Sequence, residues 1–488
     1  MKAGSMLSRR ELISAIGLSG LRARAGRAPS ASRPVNLVLI LTDNQGAWTL
    51  GCYGNADVRT PNIDRLAREG ILFTRAFAVN AVCSPTRASL LTGLMPSQHG
   101  VHCYLSRSAQ VGPGAYNTIG EFATLPSILS EAGYVAGLTG KWHLGGNLQP
   151  QSGFSYWVTM PHGHSPGFYD QEIIEGGKIR VEATYLTDFW TQHAIRFIEQ
   201  NRDRPFFLLL AYNGPYGLGS AMKEPIRNRH AAFYADKDLP SFPRGYVHPW
   251  NFSYRDWMND ISVRRKYAAE VSGVDDGVGR ILQALARLGL DRDTLVVFTS
   301  DQGFAGGQNG LWGMGDHTRP LTAFDWTMWV PLIFRHPGRI PPGRRSDIMV
   351  DTCDILPTLL DYLGLGSKRP KSPPLPGNSF AAVLEGRSLA WEDVVYFEFE
   401  NVRAIRTPEW KYIERIHQAP NELYDLRNDP GERLNLYADE RLAGIRSDLR
   451  RRLQRFFERY ADAKWDLWKG GKSKSGLLTA ELFGLNKK

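Results

Sequence analysis

Cysteine is scarce in this chain, and long apolar runs are missing. Four cysteines occur among 488 residues, at positions 52, 83, 103 and 353. So sparse a set excludes the class of secreted proteins built on a disulfide scaffold. No apolar run approaches the roughly 20 residues of a membrane-spanning helix, so we expect no membrane span. We also find no internal repeats.

The chain lacks any nucleic-acid-binding motif, although its formal charge is +10. Basic residues are spread widely, with denser runs at residues 444–455 and 464–474. The first run is typical of a solvated helix face. The net charge favours an anionic substrate or surface without identifying one, and we expect no nucleic-acid partner.

Length and composition indicate a folded chain with more than one packed unit. Hydrophobic residues make up 42% and charged residues 22%, which is typical of globular proteins. A chain of 488 residues exceeds one ordinary hydrophobic core. We expect residues 34–388 to form a large N-terminal domain and residues 389–488 to form a smaller C-terminal subdomain.

The N-terminus resembles an export signal. Residues 8–13 read Ser-Arg-Arg-Glu-Leu-Ile, the twin-arginine pattern. A short apolar stretch at 12–21 and the small-residue site Ala-Arg-Ala at 23–25 follow. We therefore expect residues 1–33 to be signal and linker, and the protein to be periplasmic. Because the apolar stretch is short and basic residues follow it closely, a basic arm on a cytoplasmic protein is the alternative.

Apolar runs and amphipathic segments alternate along most of the chain. Residues 34–42 and 206–212 are nearly continuous apolar runs, typical of parallel strands buried on both faces. Amphipathic helices are predicted at 185–200 and 263–288. The pattern predicts an α/β fold with a large, mostly parallel central sheet and helices on both faces. Beyond residue 390, short strands predict an α+β subdomain with an antiparallel sheet.

Two predicted strands end in aspartate followed by an amide. Asp43-Asn44 follows the run at 34–42, and Asp301-Gln302 follows a predicted strand at 293–299. Ligands of open α/β sheets collect at the carboxyl ends of the strands. Oxygen ligands are what hard cations need, so the sequence predicts a calcium site there.

Residues 81–93 bring a nucleophile, a helix start and a cation together. Cys83 is followed by Pro85, which suits a first helical turn, and by Arg87 one turn later. A helix N-terminus attracts an anion, and the guanidinium is a permanent donor for a tetrahedral oxyanion. The alternative for Cys83 alone is a buried, inert thiol.

This stretch resembles the sulfatase signature, in which Cys-x-Pro-x-Arg precedes two apolar residues and Thr-Gly. The resemblance implies that a formylglycine-generating or other maturing enzyme oxidises Cys83 to formylglycine. Its hydrate attacks the sulfur of a sulfate ester, and the second hydroxyl later expels sulfate. The resemblance also implies an alkaline phosphatase superfamily fold and a bound cation.

A second signature lies at residues 140–145, Gly-Lys-Trp-His-Leu-Gly. In an extended segment Lys141 and His143 share a face, with Trp142 opposite. The segment resembles the sulfatase motif Gly-Lys-x-His, which implies that Lys141 holds the sulfate and His143 contacts the formylglycine hydroxyl. Residues 421–432 resemble the C-terminal sulfatase subdomain. The resemblance thus covers residues 35 to about 440.

The chain departs from the sulfatase pattern at three places. Tyr216 stands where Pro-His is usual, and Met314 stands where the glycine-rich loop usually has lysine. Tyr216 can donate to an oxyanion or simply pack. His317, three residues after Met314, is a candidate leaving-group acid. The metal site has one carboxylate fewer than usual, so we expect weaker calcium binding.

We therefore predict a sulfuric ester hydrolase whose substrate is a sulfate ester, a sulfated saccharide being one candidate. Residues 220–257, rich in proline, aromatic and charged residues, are interpreted as a substrate-side insertion. The predicted catalytic residues are Cys83, Arg87, Lys141, His143 and His317; substrate binding falls to Lys141, Tyr216 and His317. The predicted ligands of Ca²⁺, in preference to Mg²⁺, are Asp43, Asn44, Cys83, Asp301 and Gln302.

Two other functions fit the same residues. A phosphomonoester or phosphonate ester hydrolase of the same superfamily uses a similar nucleophile and metal site, and rates on aryl sulfate and aryl phosphate separate the two. A catalytically impaired, anion-binding homologue is motivated by Tyr216 and Met314. Formylglycine at Cys83 without turnover of any sulfate would support it. The sequence leaves the oligomeric state open.

Overall fold

A mixed β-sheet forms the scaffold of the computed structural model, which describes residue 1 and residues 34–485. The strands of the described residues are β1 (Asn36–Asp43), β2 (Ile71–Phe77), β3 (Val135–Gly140), β4 (Phe154–Thr159), β5 (Gln171–Glu175), β6 (Lys178–Glu182), β7 (Phe206–Pro215), β8 (Thr294–Ser300), β9 (Ala305–Gly306), β10 (Trp312–Gly313), β11 (Trp329–Val330), β12 (Leu332–Arg335), β13 (Arg344–Asp351), β14 (Val395–Phe399), β15 (Val402–Arg406), β16 (Trp410–Arg415) and β17 (Glu422–Asp425).

Helices of the described residues lie between the strands in the chain order and after the last strand. In chain order they are α1 (Pro61–Arg68), α2 (Cys83–Thr92), α3 (Pro96–His99), α4 (Arg107–Val111), α5 (Leu125–Glu131), α6 (Leu186–Gln200), α7 (Ala231–Tyr234), α8 (Ile261–Arg287), α9 (Asp325–Met328), α10 (Thr352–Tyr362), α11 (Ala381–Leu384) and α12 (Ala443–Tyr460). None of the helices in the described part of the chain combines the length and apolar character that crossing a bilayer requires.

The large sheet has the order β13-β2-β12-β8-β1-β7-β3-β4-β5-β6, and β11 continues β12 along β2. Strands β8, β1, β7, β3 and β4 run parallel, whereas β12, β5 and β6 pair antiparallel with their neighbours. The predicted α/β class with a large, mostly parallel sheet is confirmed.

Strand β1 lies at the centre of this sheet because its side chains are apolar on both faces. Val38 and Ile40 point into one core, which contains side chains of α6 and α8. Leu37, Leu39 and Leu41 point into the other core, which contains side chains of α2, α5 and α10. Helices therefore cover both faces, as predicted, and every residue of β1 is buried.

The carboxyl ends of four adjacent parallel strands carry the polar residues of interest. Asp301 follows β8, Asp43 ends β1, Tyr216 follows β7 and Lys141 follows β3. Close approach of β3 to β7 requires glycine at position 140, since a Cβ there would lie 1.8 Å from the Ala211 carbonyl oxygen. Strand order thus brings these four side chains to one edge.

A second, four-stranded sheet follows residue 394, in the antiparallel order β14-β15-β16-β17. Helix α12 packs on it through Leu449, Leu453 and Phe457. This confirms the predicted C-terminal antiparallel sheet. Residues from 34 onward form one compact unit, and the predicted export signal lies outside the described residues except for residue 1.

A buried ion cluster joins the C-terminal sheet to α9, the short helix that precedes β11 of the large sheet. Lys411 of β16 lies with its Nζ 2.6 Å from Glu432 Oε1, 2.5 Å from Asp325 Oδ1 and 2.9 Å from a backbone carbonyl oxygen. Burial raises the pKa of Glu432 to about 7, and the nearby Asp325 adds to this rise while Lys411 opposes it. Against the effect of burial, Arg406 and Lys411 lower the pKa of Asp325 to about 2.

Replacing the lysine should therefore destabilise the whole unit. We expect Lys411→Met to lower the free energy of unfolding by about 3–5 kcal/mol, because it leaves buried carboxylates with less compensating charge. Urea unfolding followed by circular dichroism measures this. The matched control is Arg427→Ala, which breaks the exposed pair of Arg427 with Glu409 and should cost about 0–1 kcal/mol. Equal losses in the two variants would contradict the structural role of Lys411.

Candidate active site

Helix α2 begins at Cys83, next to the strand ends. Pro85 lies in its first turn and Val82 precedes it in extended conformation, so the chain enters the helix sharply. The Cys83 Sγ lies 3.4 Å from Asp43 Oδ1 and 3.4 Å from Gln302 Nε2. Burial, followed by the charge of Asp43, raises the pKa of Cys83. An unmodified Cys83 is therefore a neutral thiol, which is a poor nucleophile.

Two buried carboxylates and two buried cations surround this thiol. Arg87 donates to Asp301 Oδ2 from Nε at 2.9 Å and lies 3.9 Å from Asp43 Oδ2. Lys141 Nζ pairs with Asp43 Oδ2. Although burial opposes charge on both cations, Asp301 chiefly raises the pKa of Arg87 and Asp43 chiefly raises the pKa of Lys141. Both cations are therefore held in their charged form.

The side chains around Gln302 and Cys83 fit a bound cation, because most of their polar atoms are acceptors. Gln302 places its Nε2 beside four acceptor atoms: Asn44 Oδ1, Asp43 Oδ1 at 3.4 Å, Cys83 Sγ at 3.4 Å and Met314 Sδ at 3.0 Å. Its Oε1 is buried without a hydrogen-bond partner among the described residues. Rotating the amide by 180° exchanges the two atoms and turns that oxygen toward the acceptors.

An all-acceptor cluster of this kind suits a metal ion. Ligand atoms of Asp43, Cys83 and Asp301 lie within 4.8 Å of one another. Burial and then Asp43 raise the pKa of Asp301 to about 6, even though Arg87 and Lys141 lower it. Additional positive charge at this point would stabilise the ionised carboxylate.

His143 contributes an unoccupied ring nitrogen. Its Nε2 donates to the Leu105 carbonyl oxygen at 3.0 Å, which leaves Nδ1 as an acceptor. That Nδ1 is buried and has no partner in the described part of the chain. Burial and then Lys141 lower the pKa of His143, so the ring is neutral. Its φ of 59° differs from the extended backbone predicted for this segment, yet both Lys141 and His143 reach the site.

A cavity of about 290 Å³ opens above Cys83 and His143. Aromatic rings make up much of its wall, and its remaining polar groups are mainly histidine and carboxylate. The lining includes Tyr104, His164, Tyr216, Tyr254, Asp316 and His317. Polar and aromatic walls above the buried Cys83 are suitable for a sugar or an aryl group.

Comparison with known proteins identifies the family. A family model described as Sulfatase matches residues 35–365, more than half of the chain. The chain belongs to the sulfatase family. A second model, described as N-sulphoglucosamine sulphohydrolase, C-terminal, matches residues 319–459. The resemblance inferred from the two signatures is thereby confirmed, and the protein is a sulfuric ester hydrolase by family.

Three relatives span most of this sulfatase. N-acetylglucosamine-6-O-sulfatase of Bacteroides thetaiotaomicron is 27% identical and covers 88% of the chain and 87% of its own length. N-acetylgalactosamine-6-sulfatase of Canis lupus familiaris is 31% identical, with 79% and 72% covered. The solved structure of BT4656 in complex with its substrate, D-glucosamine-2-N,6-O-disulfate, is 26% identical, with a TM-score of 0.69 and 88% and 98% covered.

Tyr216 and Met314, which depart from the family pattern, each contact a polar side chain in the structure. The Tyr216 hydroxyl lies 3.0 Å from His164 Nδ1, and its ring lies 5.5 Å from Lys141 Nζ. Met314 contacts the Gln302 amide. His317 borders the same cavity, with Nδ1 2.9 Å from Asp316 Oδ1 and 3.2 Å from the Met314 backbone nitrogen. The contacts at Nδ1 fix the orientation of the ring.

Sequence reasoning did not find His164 or Tyr104. His164 belongs to the stretch His-Gly-His at 162–164, just after β4, and a pair of histidines beside glycine at a strand end was the available signal. Tyr104 carried no pattern of its own. The ring centroids of Tyr104 and His164 lie 5.2 Å apart, so the two side chains form one wall of the cavity.

Gly163 gives a test of the geometry around His143. A Cβ at Gly163 would lie 1.8 Å from His143 Nε2, so Gly163→Ala must displace the ring from Leu105. We expect kcat for nitrophenyl sulfate to fall about a hundredfold, the cost of a displacement near 1 Å in an active site. Gly114→Ala is the control, because a Cβ there meets no atom within 4 Å. Unchanged kcat in Gly163→Ala would show that the position of His143 is not needed.

Proposed function

We propose that this sulfatase hydrolyses the 6-O-sulfate ester of an amino sugar through a formylglycine made from Cys83. One observation carries the chemistry: Cys83 begins α2 at the floor of a cavity, among two cations and two carboxylates, with a raised thiol pKa. The substrate class is supported by the relatives. The names of two specify the 6-sulfate of an N-acetylhexosamine, and the third binds a 2-N,6-O-disulfated glucosamine.

Each residue around Cys83 has a task in this reaction. Formylglycine, when hydrated, supplies the hydroxyl that attacks sulfur. Lys141 and Arg87 balance the negative charge that develops on the sulfate oxygens. His143, neutral and with Nδ1 free, accepts the proton from the second hydroxyl when sulfate is released. Water is limited because Cys83 and His143 are both buried.

The proposed cation is calcium, held by Asp43, Asn44, Asp301 and Gln302 together with the modified residue 83. These groups offer oxygen donors of mixed carboxylate and amide type, which calcium tolerates better than magnesium does. When bound, the ion polarises the sulfate group for attack. Asn44 and Gln302 supply neutral amides, so the site is less negative than one with three carboxylates. We therefore expect a modest affinity for calcium.

Mass spectrometry of residue 83 and turnover of a model substrate test the nucleophile. Protein coexpressed with a formylglycine-generating enzyme should show the aldehyde mass at residue 83, and Cys83→Ala should abolish turnover of nitrophenyl sulfate while the fold remains. Cys353→Ala, which removes another buried thiol, should keep activity. Full activity with unmodified cysteine contradicts the proposal. Faster turnover of nitrophenyl phosphate than of the sulfate would favour a phosphoester hydrolase.

The cation is tested by metal content. We expect about one calcium ion per purified chain, and Asp301→Ala should lose it, because a carboxylate ligand and the partner of Arg87 are both removed. Elemental analysis after dialysis provides the readout independently of activity. The control is Asp354→Asn, which alters a buried carboxylate that caps α10. Stoichiometric calcium in Asp301→Ala would refute the assignment.

His317 is proposed as the leaving-group acid. It borders the cavity of Cys83. Contacts at Nδ1 hold its ring in place, so Nε2 is left to donate to the departing oxygen. We expect His317→Ala to slow a sugar sulfate about a hundredfold to ten-thousandfold, and nitrophenyl sulfate far less, since its phenolate needs no proton. His164→Ala removes another imidazole of the same cavity as the control. Equal losses on both substrates would assign His317 to binding or structure.

A further inference from the structure

Residues 244–254 carry an aromatic or basic side chain at every second position. The segment reads Arg-Gly-Tyr-Val-His-Pro-Trp-Asn-Phe-Ser-Tyr. It belongs to the insertion at 220–257, whose role the active site does not explain. Tyr246 is 62% exposed and Phe252 is 63% exposed, so these rings are not core residues. Trp250 and Tyr254, by contrast, pack partly against the core, so the apolar surface available to a ligand is that of Tyr246 and Phe252.

This segment leads away from the active-site cavity to a second cavity. At one end Tyr254 lines the cavity of Cys83. Phe252 donates its backbone N–H to the His317 carbonyl oxygen at 2.8 Å, and Arg319 lies 5.0 Å from the Phe252 ring. Further along, the His248 backbone N–H donates to Gly310 at 2.9 Å. The two cavities are therefore joined by paired backbone segments with aromatic and basic side chains.

The second cavity, here called the distal cavity, has a volume of about 530 Å³. The residues that line it include Arg244, Tyr246, His248, Asn309, Trp326 and Arg433, together with the buried carboxylate of Glu432, which is paired with Lys411. Both arginines are exposed. Arg244 shares its charge with the exposed Asp238, whereas no carboxylate in the described part of the chain lies within ion-pair distance of Arg433. The guanidinium of Arg433, without a carboxylate partner among the described residues, and that of Arg244 lie beside aromatic rings, and this combination suits a sugar ring bearing an anion.

Two side chains of the distal cavity carry an N–H donor without a partner among the described residues, and that of His248 is the one that a ligand can reach. The Asn309 Nδ2 is buried and has no hydrogen-bond partner in the described residues. Asn309 also has a φ of 52°, in a turn that places it on the cavity wall. His248 accepts from the Trp250 backbone N–H through Nδ1, so its Nε2 carries the proton and remains a donor. Donors without partners are expensive to keep in a folded protein unless a ligand or water completes them.

We propose that the distal cavity binds a second sulfated sugar of an oligosaccharide whose first sulfate occupies the active site. The proposal rests on the proposed function, since it assumes that the substrate is a sulfated saccharide. Arg433 and Arg244 bind the distal sulfate, Tyr246 and Trp326 contact the sugar ring, and residues 248–254 support the chain between the two cavities. We therefore expect the enzyme to bind sulfated oligosaccharides more tightly than single sugars.

The test compares chain lengths in a double variant, Arg244→Ala with Arg433→Ala. Its KM for a heparin-derived hexasaccharide should rise about tenfold, equivalent to roughly 1.4 kcal/mol, while kcat stays unchanged. Both constants for D-glucosamine-2-N,6-O-disulfate should remain those of the parent enzyme. Tyr246→Ala should show the same selectivity for the hexasaccharide. Arg455→Ala, an exposed arginine of α12, is the control for loss of surface charge.

A binding measurement separates this proposal from the proposed function. Calorimetry with the Cys83→Ala protein and the hexasaccharide needs no turnover. The proposal is supported if adding the two arginine substitutions weakens binding of the sulfated hexasaccharide but not of a desulfated one. This outcome holds even if the parent enzyme turns over neither substrate. Unchanged hexasaccharide binding overturns it, and so does an equal loss for sulfated and desulfated chains. Turnover of the monosaccharide tests the proposed function alone.

Discussion

Charge compensation around Asp43 and Asp301 is the constraint on which this site depends. Both carboxylates are buried at the ends of adjacent strands, where two negative charges repel each other strongly. Lys141 and Arg87 compensate them, and each comes from a different element, one after β3 and one in α2. Four elements must therefore dock together before the charges are balanced, so the fold and the site are formed by the same contacts.

The same compensation prepares the site for an anion. With two carboxylates and two cations the cluster is neutral, and a divalent ion at the acceptor atoms of residues 43, 44, 301 and 302 would make it positive. A sulfate monoester, which carries one negative charge, then offsets half of this added charge. His143 must stay neutral beside these cations, and its burial together with the charge of Lys141 lowers its pKa accordingly. These charges are consistent with the proposed mechanism, in which the cations bind the anion and His143 accepts the proton.

The departures at Tyr216 and Met314 are accommodated by neighbours from distant parts of the chain. Tyr216 pairs with His164, which the sequence places 52 residues earlier, and Met314 contacts Gln302, one of the proposed metal ligands. Neither tyrosine nor methionine carries a positive charge, which is the reason for proposing His317 on the leaving-group side of the cavity. The aromatic segment at 244–254 extends the same side outward, toward the distal cavity.

The sequence by itself determined the buried strands β1, β7 and β8, the two signatures and the paired acidic strand ends, but it did not predict β4, β5, β6 or β13. Continuous apolar runs such as β1 report burial on both faces, and the motifs around Cys83 and Lys141 are local. The antiparallel direction of β12, the pairing of Tyr216 with His164, the left-handed backbone of His143 and the distal cavity were decided only by tertiary structure. The reason is physical: local pattern fixes which side of a segment is buried, whereas contacts between distant segments depend on strand order, loop path and the requirement that buried charges be paired.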